Sequence, residues 1–368
     1  MNANANEWID RALHDPVRQF AHRPGKQIRS SIAQLSYEIA GGKGRIPGVI
    51  GQAIECLHGG SLIIDDIQDD SDSRRGQPTL HQVLGVPLAI NAGNWMYFRA
   101  LELLSDSSLP PSQRTNLIAA MVKAGRRCHE GQALDLTARV DQLPMSHWAE
   151  IAESISTRKT GVLVALAVQL GCVAANASSS LTSRLQNFGN QIGIALQMRN
   201  DLDELTKTAE SLSENRPGPI RQAPGPDETD SPTKDLPPFR KDSEIAFDAT
   251  EYRQVRDDDL RNRRVTWPWV WARQLAGENE CRSLIDLLGQ TLKDRQSVAA
   301  KLLTITQAHG DDIIASTIQE QIRLLGEHTV EQRLLTMMRD RLRPIECSAK
   351  KPRGQSPDPT SATLKVEQ

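Results

Sequence analysis

The sequence is poor in the features that mark several broad classes of protein. Aromatic residues are only 4% of the 368, and runs of alternating Val and Ile are few, which argues against a sheet-based architecture. Lys and Arg number 44 against 46 Asp and Glu, a formal net charge of −2. That balance excludes nucleic-acid binding driven by bulk charge. The five cysteines (Cys56, Cys128, Cys172, Cys281 and Cys347) are odd in number and widely spaced. They form no metal-ligand pattern and read as the reduced thiols of a cytoplasmic protein. Met1 to Phe20 is polar and charged, so no signal peptide is expected. The longest apolar stretch, Gly161 to Ala175, is interrupted by Gln169. It falls short of the roughly 20 residues of a membrane span and reads as a buried core helix.

Helical periodicity is what the chain does have. Ile50 to Asp70 reads as one long helix, with Ile54, Leu57, Ser61, Leu62 and Asp65 on related faces. Further helices are expected at Val86–Leu104, Ser112–Ala138, Ser146–Ala175 and Leu181–Leu205, and from Asp259 to about Arg343. Gly41, Gly42, Pro110, Pro111 and Pro144 punctuate them. Ser211 to Asp242 holds seven of the 20 prolines and almost no apolar periodicity, so it reads as a disordered insertion. The tail from Ser348 onward reads as disordered too. Although the length alone would allow two domains, the expectation is one all-α domain in two sequence blocks, 1–210 and 243–347.

The main chemical signal lies between Ser61 and Asp70. On a helix, Asp65 and Asp69 share a face with Asp66 beside them. Like charges at that spacing repel, so removing Asp65 or Asp66 is expected to leave the fold intact. A hard divalent cation relieves the repulsion, and Mg²⁺ typically combines one or two carboxylates with substrate phosphate. The other reading is a solvated acidic helix end. The neighbourhood favours the metal: the acids follow an apolar helix, Arg74 and Arg75 come next as a paired cation suited to phosphate, and His58 lies two turns earlier on the same side. The spacing returns in Gln197 to Glu204, where Asn200, Asp201 and Glu204 share a face, Gln197 lies a turn below and Asp203 points elsewhere. Two such faces in one bundle can pinch metal ions between them.

In this ordered set the sequence resembles the trans-isoprenyl diphosphate synthases, nearest the geranylgeranyl and farnesyl diphosphate synthases. Matching stretches are Gly25–Arg29, Leu57–Asp66, Arg74–Gly76, Ile90–Phe98, Gly131–Asp135, Lys159–Gly161, Gln197–Glu204 and Asp259–Pro268. The resemblance implies an isoprenoid-synthase helical bundle around a central apolar tunnel, acting as a Mg²⁺-dependent prenyltransferase homodimer, with three ions when substrate is bound. Asp65, Asp66, Asp69, Asn200, Asp201 and Glu204 would ligate metal. Lys26, Arg29, His58 and Arg75 would hold isopentenyl diphosphate, and Arg74, Lys159, Thr160 and Gln197 the allylic diphosphate. Gly60 and Ser61, both small, would leave the tunnel open below the metals, with Tyr97, Phe98 and His129 as a floor that stops growth at twenty carbons. Two departures stand out. The family usually has aspartates where this chain has Asn200 and Glu204, and Gly-Lys where it has Arg263-Arg264. A class I terpene cyclase and a non-catalytic subunit of a heteromeric synthase are the other readings. The cations of the isopentenyl diphosphate set weigh against the first, and the intact first acidic motif against the second.

Overall fold

The computed structural model describes residues 4–23, 28–74, 76–211, 257–289 and 291–326. The Pro-rich insertion beyond Ser211, the helix expected past Gly326 and the C-terminal tail lie outside the described residues. Among the described residues the regular elements are helical except for one two-stranded antiparallel hairpin, β1 (Ser73–Arg74) and β2 (Gln77–Pro78).

The N-terminal stretch is α1 (Ala5–Ile9), a π turn at Asp10–His14 and α2 (Asp15–Ala21). α3 (Ile28–Ile39) and α4 (Gly48–Gln68) follow, and after the hairpin come α5 (Leu80–Leu84), α6 (Val86–Ser105) and α7 (Pro111–Thr137). Then come a 3₁₀ turn (Met145–His147), α8 (Trp148–Ser156), a π turn (Thr157–Gly161) and α9 (Val162–Ala174). The last elements are α10 (Ser179–Glu210), α11 (Asp258–Arg261), α12 (Trp267–Asp286, broken at Gly277) and α13 (Leu292–Gly326). Each long helix falls close to its place in the sequence pattern. The exception is Ser146–Ala175, which is helical throughout but widens into a π turn around Lys159.

Most of α9 is apolar on every side, as a helix surrounded by protein must be. Val164, Ala167, Val168, Leu170 and Cys172 are fully buried, and α9 packs against α3, α7 and α10. With the turns before it, α9 forms a run, Met145–Ala174, long and apolar enough to cross a membrane by length and composition, but 56% of its most apolar window is buried inside the protein. A second apolar cluster joins α8, α12 and the start of α13 around Trp148 and Trp269, whose rings meet edge-on at 6.0 Å. Burying large apolar side chains stabilises by about 1.5–3 kcal/mol each, and here it ties α8 and α12 to the end of α10 through Leu205.

Candidate active site

α4 carries Asp65 and Asp66 in its last turn and Asp69 at its C-cap. A helix C-terminus already bears partial negative charge, so this placement adds to the repulsion among the three. Cations drawn from elsewhere in the chain offset it. Arg74, on β1, clasps Asp66 through Nε at 2.7 and 2.8 Å. Asp65 accepts from Lys159 Nζ at 3.0 Å, from Gln132 Nε2 at 3.0 Å and from Arg74 Nη2 at 3.4 Å. Asp69 accepts from Arg264 Nη2. Asp135, on α7, joins the cations to each other, accepting from Lys159 Nζ and from Arg264 Nη1, both at 2.7 Å.

Lys159 sits on the π turn, a distortion often found at functional sites. α10 must pass very close to the turn, and glycine permits it: a Cβ on Gly193 would sit 2.5 Å from the Gly161 Cα. Thr160 Oγ1 donates to Gln197 Oε1, and Gln197 Nε2 donates to Asp201 Oδ1 at 2.7 Å. The other Asp201 oxygen accepts from the Trp267 backbone N–H at the start of α12, at 3.0 Å. Glu204 Oε1 accepts from the Asp259 backbone N–H at 3.0 Å. At the other side, Arg29 Nη1 donates to His58 Nε2 at 3.0 Å.

These groups surround one cavity of about 690 Å³. The ends of α4 and α10 form its polar wall, and Leu57, Ser61, Tyr97, Leu163 and Leu196 line it further in. Of the residues singled out from the sequence, Arg29, His58, Ser61, Asp65, Asp69, Arg74, Tyr97, His129, Lys159, Thr160, Gln197, Asn200, Asp201 and Glu204 all face it. Lys26 and Arg75 lie outside the described residues. Four expectations need correction. Asp66 is 1% exposed and absent from the cavity wall, because its carboxylate is held by Arg74. Gly60 does not open the tunnel; it lets α4 meet α6, and a Cβ there would lie 2.7 Å from the Gly93 carbonyl oxygen and 3.0 Å from the Tyr97 ring. Phe98 is 72% exposed, since its neighbour Tyr97 faces inward and successive helix residues point about 100° apart. Asp203 lines the cavity instead of pointing away.

The sequence reading assigned no role to Gln132 or Asp135 and did not place Arg264 among the site residues. All three fall in stretches that matched the synthases, but their spacing carries no charge pattern that singles them out. Arg263 also departs from the expected glycine and takes φ +54°. That left-handed backbone costs an L-residue roughly 1–2 kcal/mol, and its side chain is held by donation to the Leu288 carbonyl at 2.7 Å.

The crowded carboxylates titrate abnormally. Burial, with Asp65 beside it, pushes Asp69 up to about 7, against the pull of Arg264 and Lys159. Burial, then the Asp259 carboxylate, holds Asp201 well above the usual range. Burial opposes the Lys159 ammonium, yet Asp135 and Asp65 raise it above its ordinary value. Folding therefore favours protonated Asp69, whose unfolded value is 3.8. Its stabilising contribution is complete below about pH 4 and is lost as pH rises to about 7. In chelator-treated protein, the urea midpoint should fall across that window, and less steeply in Asp69→Asn. Equal slopes in the two proteins would show that Asp69 titrates normally.

Such a donor set fits magnesium. Its oxygens are hard, and they come from two facing helices. Among the described residues no three His, Cys, Asp or Glu side chains converge into a ready-made ion cage. This is the situation in which Mg²⁺ is held by one or two carboxylates while phosphate and water complete its shell.

An all-helical bundle with two acidic helix ends opposed across a cation-lined cavity is the fold of the trans-isoprenyl diphosphate synthases. The chain belongs to the polyprenyl synthetase family, whose profile matches residues 10–216. It is 33% identical over 198 residues to a geranylgeranyl pyrophosphate synthase of Geoglobus acetivorans, covering 53% of this chain and 60% of that one. It is 36% identical over 191 residues to a short chain isoprenyl diphosphate synthase of Methanothermobacter thermautotrophicus, covering 51% and 57%. The matches thus span about three fifths of the length of these curated relatives. The fold also matches the crystal structure of geranylgeranyl pyrophosphate synthetase from Pyrococcus horikoshii, with a TM-score of 0.68 at 22% identity over 91% of this chain and 90% of that one.

Proposed function

We propose that the protein is a magnesium-dependent prenyltransferase that joins isopentenyl diphosphate to an allylic diphosphate and releases linear geranylgeranyl diphosphate. The observation that carries this reading is the facing of α4 and α10 across one cavity, with Lys159, Arg264 and Arg74 between them and the Arg29–His58 pair at its side. Asp65 and Asp69 from one helix and Asn200, Asp201 and Glu204 from the other would hold the ions; Asp66 serves through Arg74. When bound, magnesium supplies Lewis-acid neutralisation of the departing diphosphate. Lys159 and Arg264 place fixed positive charge where that diphosphate develops its own negative charge, and they need little reorganisation because Asp135 already orients both. Arg29 and His58 hold isopentenyl diphosphate so that its double bond faces the allylic carbon. The carbon–oxygen bond of the allylic diphosphate breaks, the double bond of isopentenyl diphosphate attacks the resulting allylic cation, and a proton then leaves to the released diphosphate. The apolar inner wall keeps water from the cationic carbon. A cytoplasmic homodimer completes the reading. A cyclase would have no use for the Arg29–His58 pair. Incubation with isopentenyl diphosphate, Mg²⁺ and each allylic starter in turn tests the proposal: linear products from condensation are expected, and cyclic products or none would overturn it.

Product length follows from the inner wall. Ser61 leaves room beside α4, and Tyr97 closes the space below, its ring edge-on to His129 with centroids 5.6 Å apart. Tyr97→Ala should shift the main product beyond twenty carbons, Ser61→Phe should shorten it, and Phe98→Ala should leave it unchanged. If Tyr97→Ala yields the wild-type product under the same assay, the floor lies elsewhere.

A further inference from the structure

The contact between Arg29 and His58 fixes where a proton sits. A guanidinium has five N–H donors and no acceptor. Arg29 Nη1 lies 3.0 Å from His58 Nε2, so Nε2 accepts and carries no hydrogen. His58 is therefore a neutral imidazole with its hydrogen on Nδ1. The charges around it favour that form in the protein alone. Arg29 comes from α3. Arg23, after α2, and Arg74, on β1, line a small side space with His58. Glu55, one turn earlier on α4, lines the same space and accepts from Ser30 Oγ at 2.7 Å. Asp65, two turns later, is engaged by Lys159 and Arg74. From α6 and α7 the cavity wall receives Tyr97 and Cys128, whose phenol and thiol burial holds in their neutral forms, along with His129 and Asp135, the latter paired with Lys159 and Arg264. Three guanidiniums thus oppose a further positive charge on the imidazole.

A diphosphate reverses both conditions. Its ionised oxygens only accept, so every group that holds them must donate. Arg29 can turn from Nε2 to the phosphate, but His58 can hold phosphate only with a hydrogen on Nε2. The negative charge of the ligand meanwhile offsets the arginines. We propose that isopentenyl diphosphate binds with uptake of one proton from solvent, taken by His58 Nε2 as Arg29 passes its hydrogen bond to the diphosphate, so that His58 is neutral in the free protein and imidazolium in the complex. This rests on the assignment of the Arg29–His58 side to isopentenyl diphosphate made above. Because the complex holds more protons than the separate partners, affinity strengthens as pH falls and weakens as pH rises, and by the same linkage the bound ligand tightens the hold of His58 on its proton.

The test is calorimetric titration of the whole protein with isopentenyl diphosphate, with no allylic substrate present, so that turnover does not occur. It is run at about pH 7.5, above the phosphate pKa of about 6, so that the ligand does not bring the proton itself. Repeating it in buffers of different ionisation enthalpy counts the protons exchanged. Wild type should take up about half a proton or more per site, and its affinity should weaken with rising pH by up to about tenfold per unit, the limit that one proton sets. His58→Gln should show neither effect, because the amide accepts from Arg29 through its oxygen and donates to phosphate through its nitrogen without titrating. His58→Asn serves if that variant does not fold. Wild-type binding without proton uptake would mean that the imidazole only exchanges tautomers, and uptake undiminished in the amide variant would place the proton elsewhere. Either result overturns the proposal and leaves the proposed function standing. If wild type binds no isopentenyl diphosphate at any pH, the functional reading itself fails and this proposal fails with it.

Discussion

Asp65→Asn is expected to reduce turnover by on the order of 10²–10³-fold or more, the scale on which preorganised charge acts in transition states, while leaving the protein folded. Asp65 is the carboxylate on which Lys159, Gln132 and Arg74 all converge. Losing its charge removes one oxygen donor for the metal and relaxes the aim of Lys159. Stability should change little, because Lys159 keeps its 2.7 Å contact with Asp135 and the substitution relieves repulsion from Asp69. Steady-state condensation rates beside thermal unfolding would check both halves. Turnover within tenfold of wild type in the folded variant would remove the end of α4 from the chemistry.

Asp66→Ala should behave differently, and here the structure changes what the sequence implied. The acidic spacing treats Asp65 and Asp66 as equivalent repelling charges, either of which could be removed without harm to the fold. In the structure Asp66 is 1% exposed and Arg74 only 10% exposed, paired at 2.6 Å. Removing one member of a buried pair costs about 3–5 kcal/mol when the other is left alone, and Arg74 would keep only its 3.4 Å contact with Asp65. Asp66→Ala should therefore be strongly destabilised. Asp66→Leu with Arg74→Met should recover much of that loss, since replacing both partners by apolar groups is often nearly neutral. Urea unfolding of the two variants would decide it; a single variant as stable as wild type would show that the pair is not a buried anchor.

Much of this architecture was legible in the sequence, for an identifiable reason. Long helices with one apolar face write their period into the chain, and α4, α6, α7 and α10 begin and end within a few residues of where that period places them. Metal-competent oxygen side chains four residues apart likewise announce a shared face, which is how Asp65, Asp69, Asn200 and Glu204 came to light. What the pattern could not carry is the direction of a neighbour across space. Whether Asp66 faces the cavity or Arg74 depends on how the β1–β2 hairpin folds back. Whether Gly60 opens a tunnel or admits another helix depends on the position of α6. Phe98 and Tyr97 are equally plausible floors until the rotation of α6 is known. Arg264 and Asp135 act as a pair only because segments 129 residues apart come together, and no local spacing records that.

The position of segment 257–264 also has a consequence for how the molecule assembles. Its contacts to the end of α4 close loops of 187 residues between Ser71 and Asp258 and 195 between Asp69 and Arg264. Closing a flexible loop of that size costs about 5 kcal/mol of chain entropy before any contact repays it. The α4–α6 pairing and the α9–α10 pairing close over far shorter spans and can form early. Competence to bind ligand is therefore expected to be acquired late in folding, after the helices that carry most of the cavity have paired.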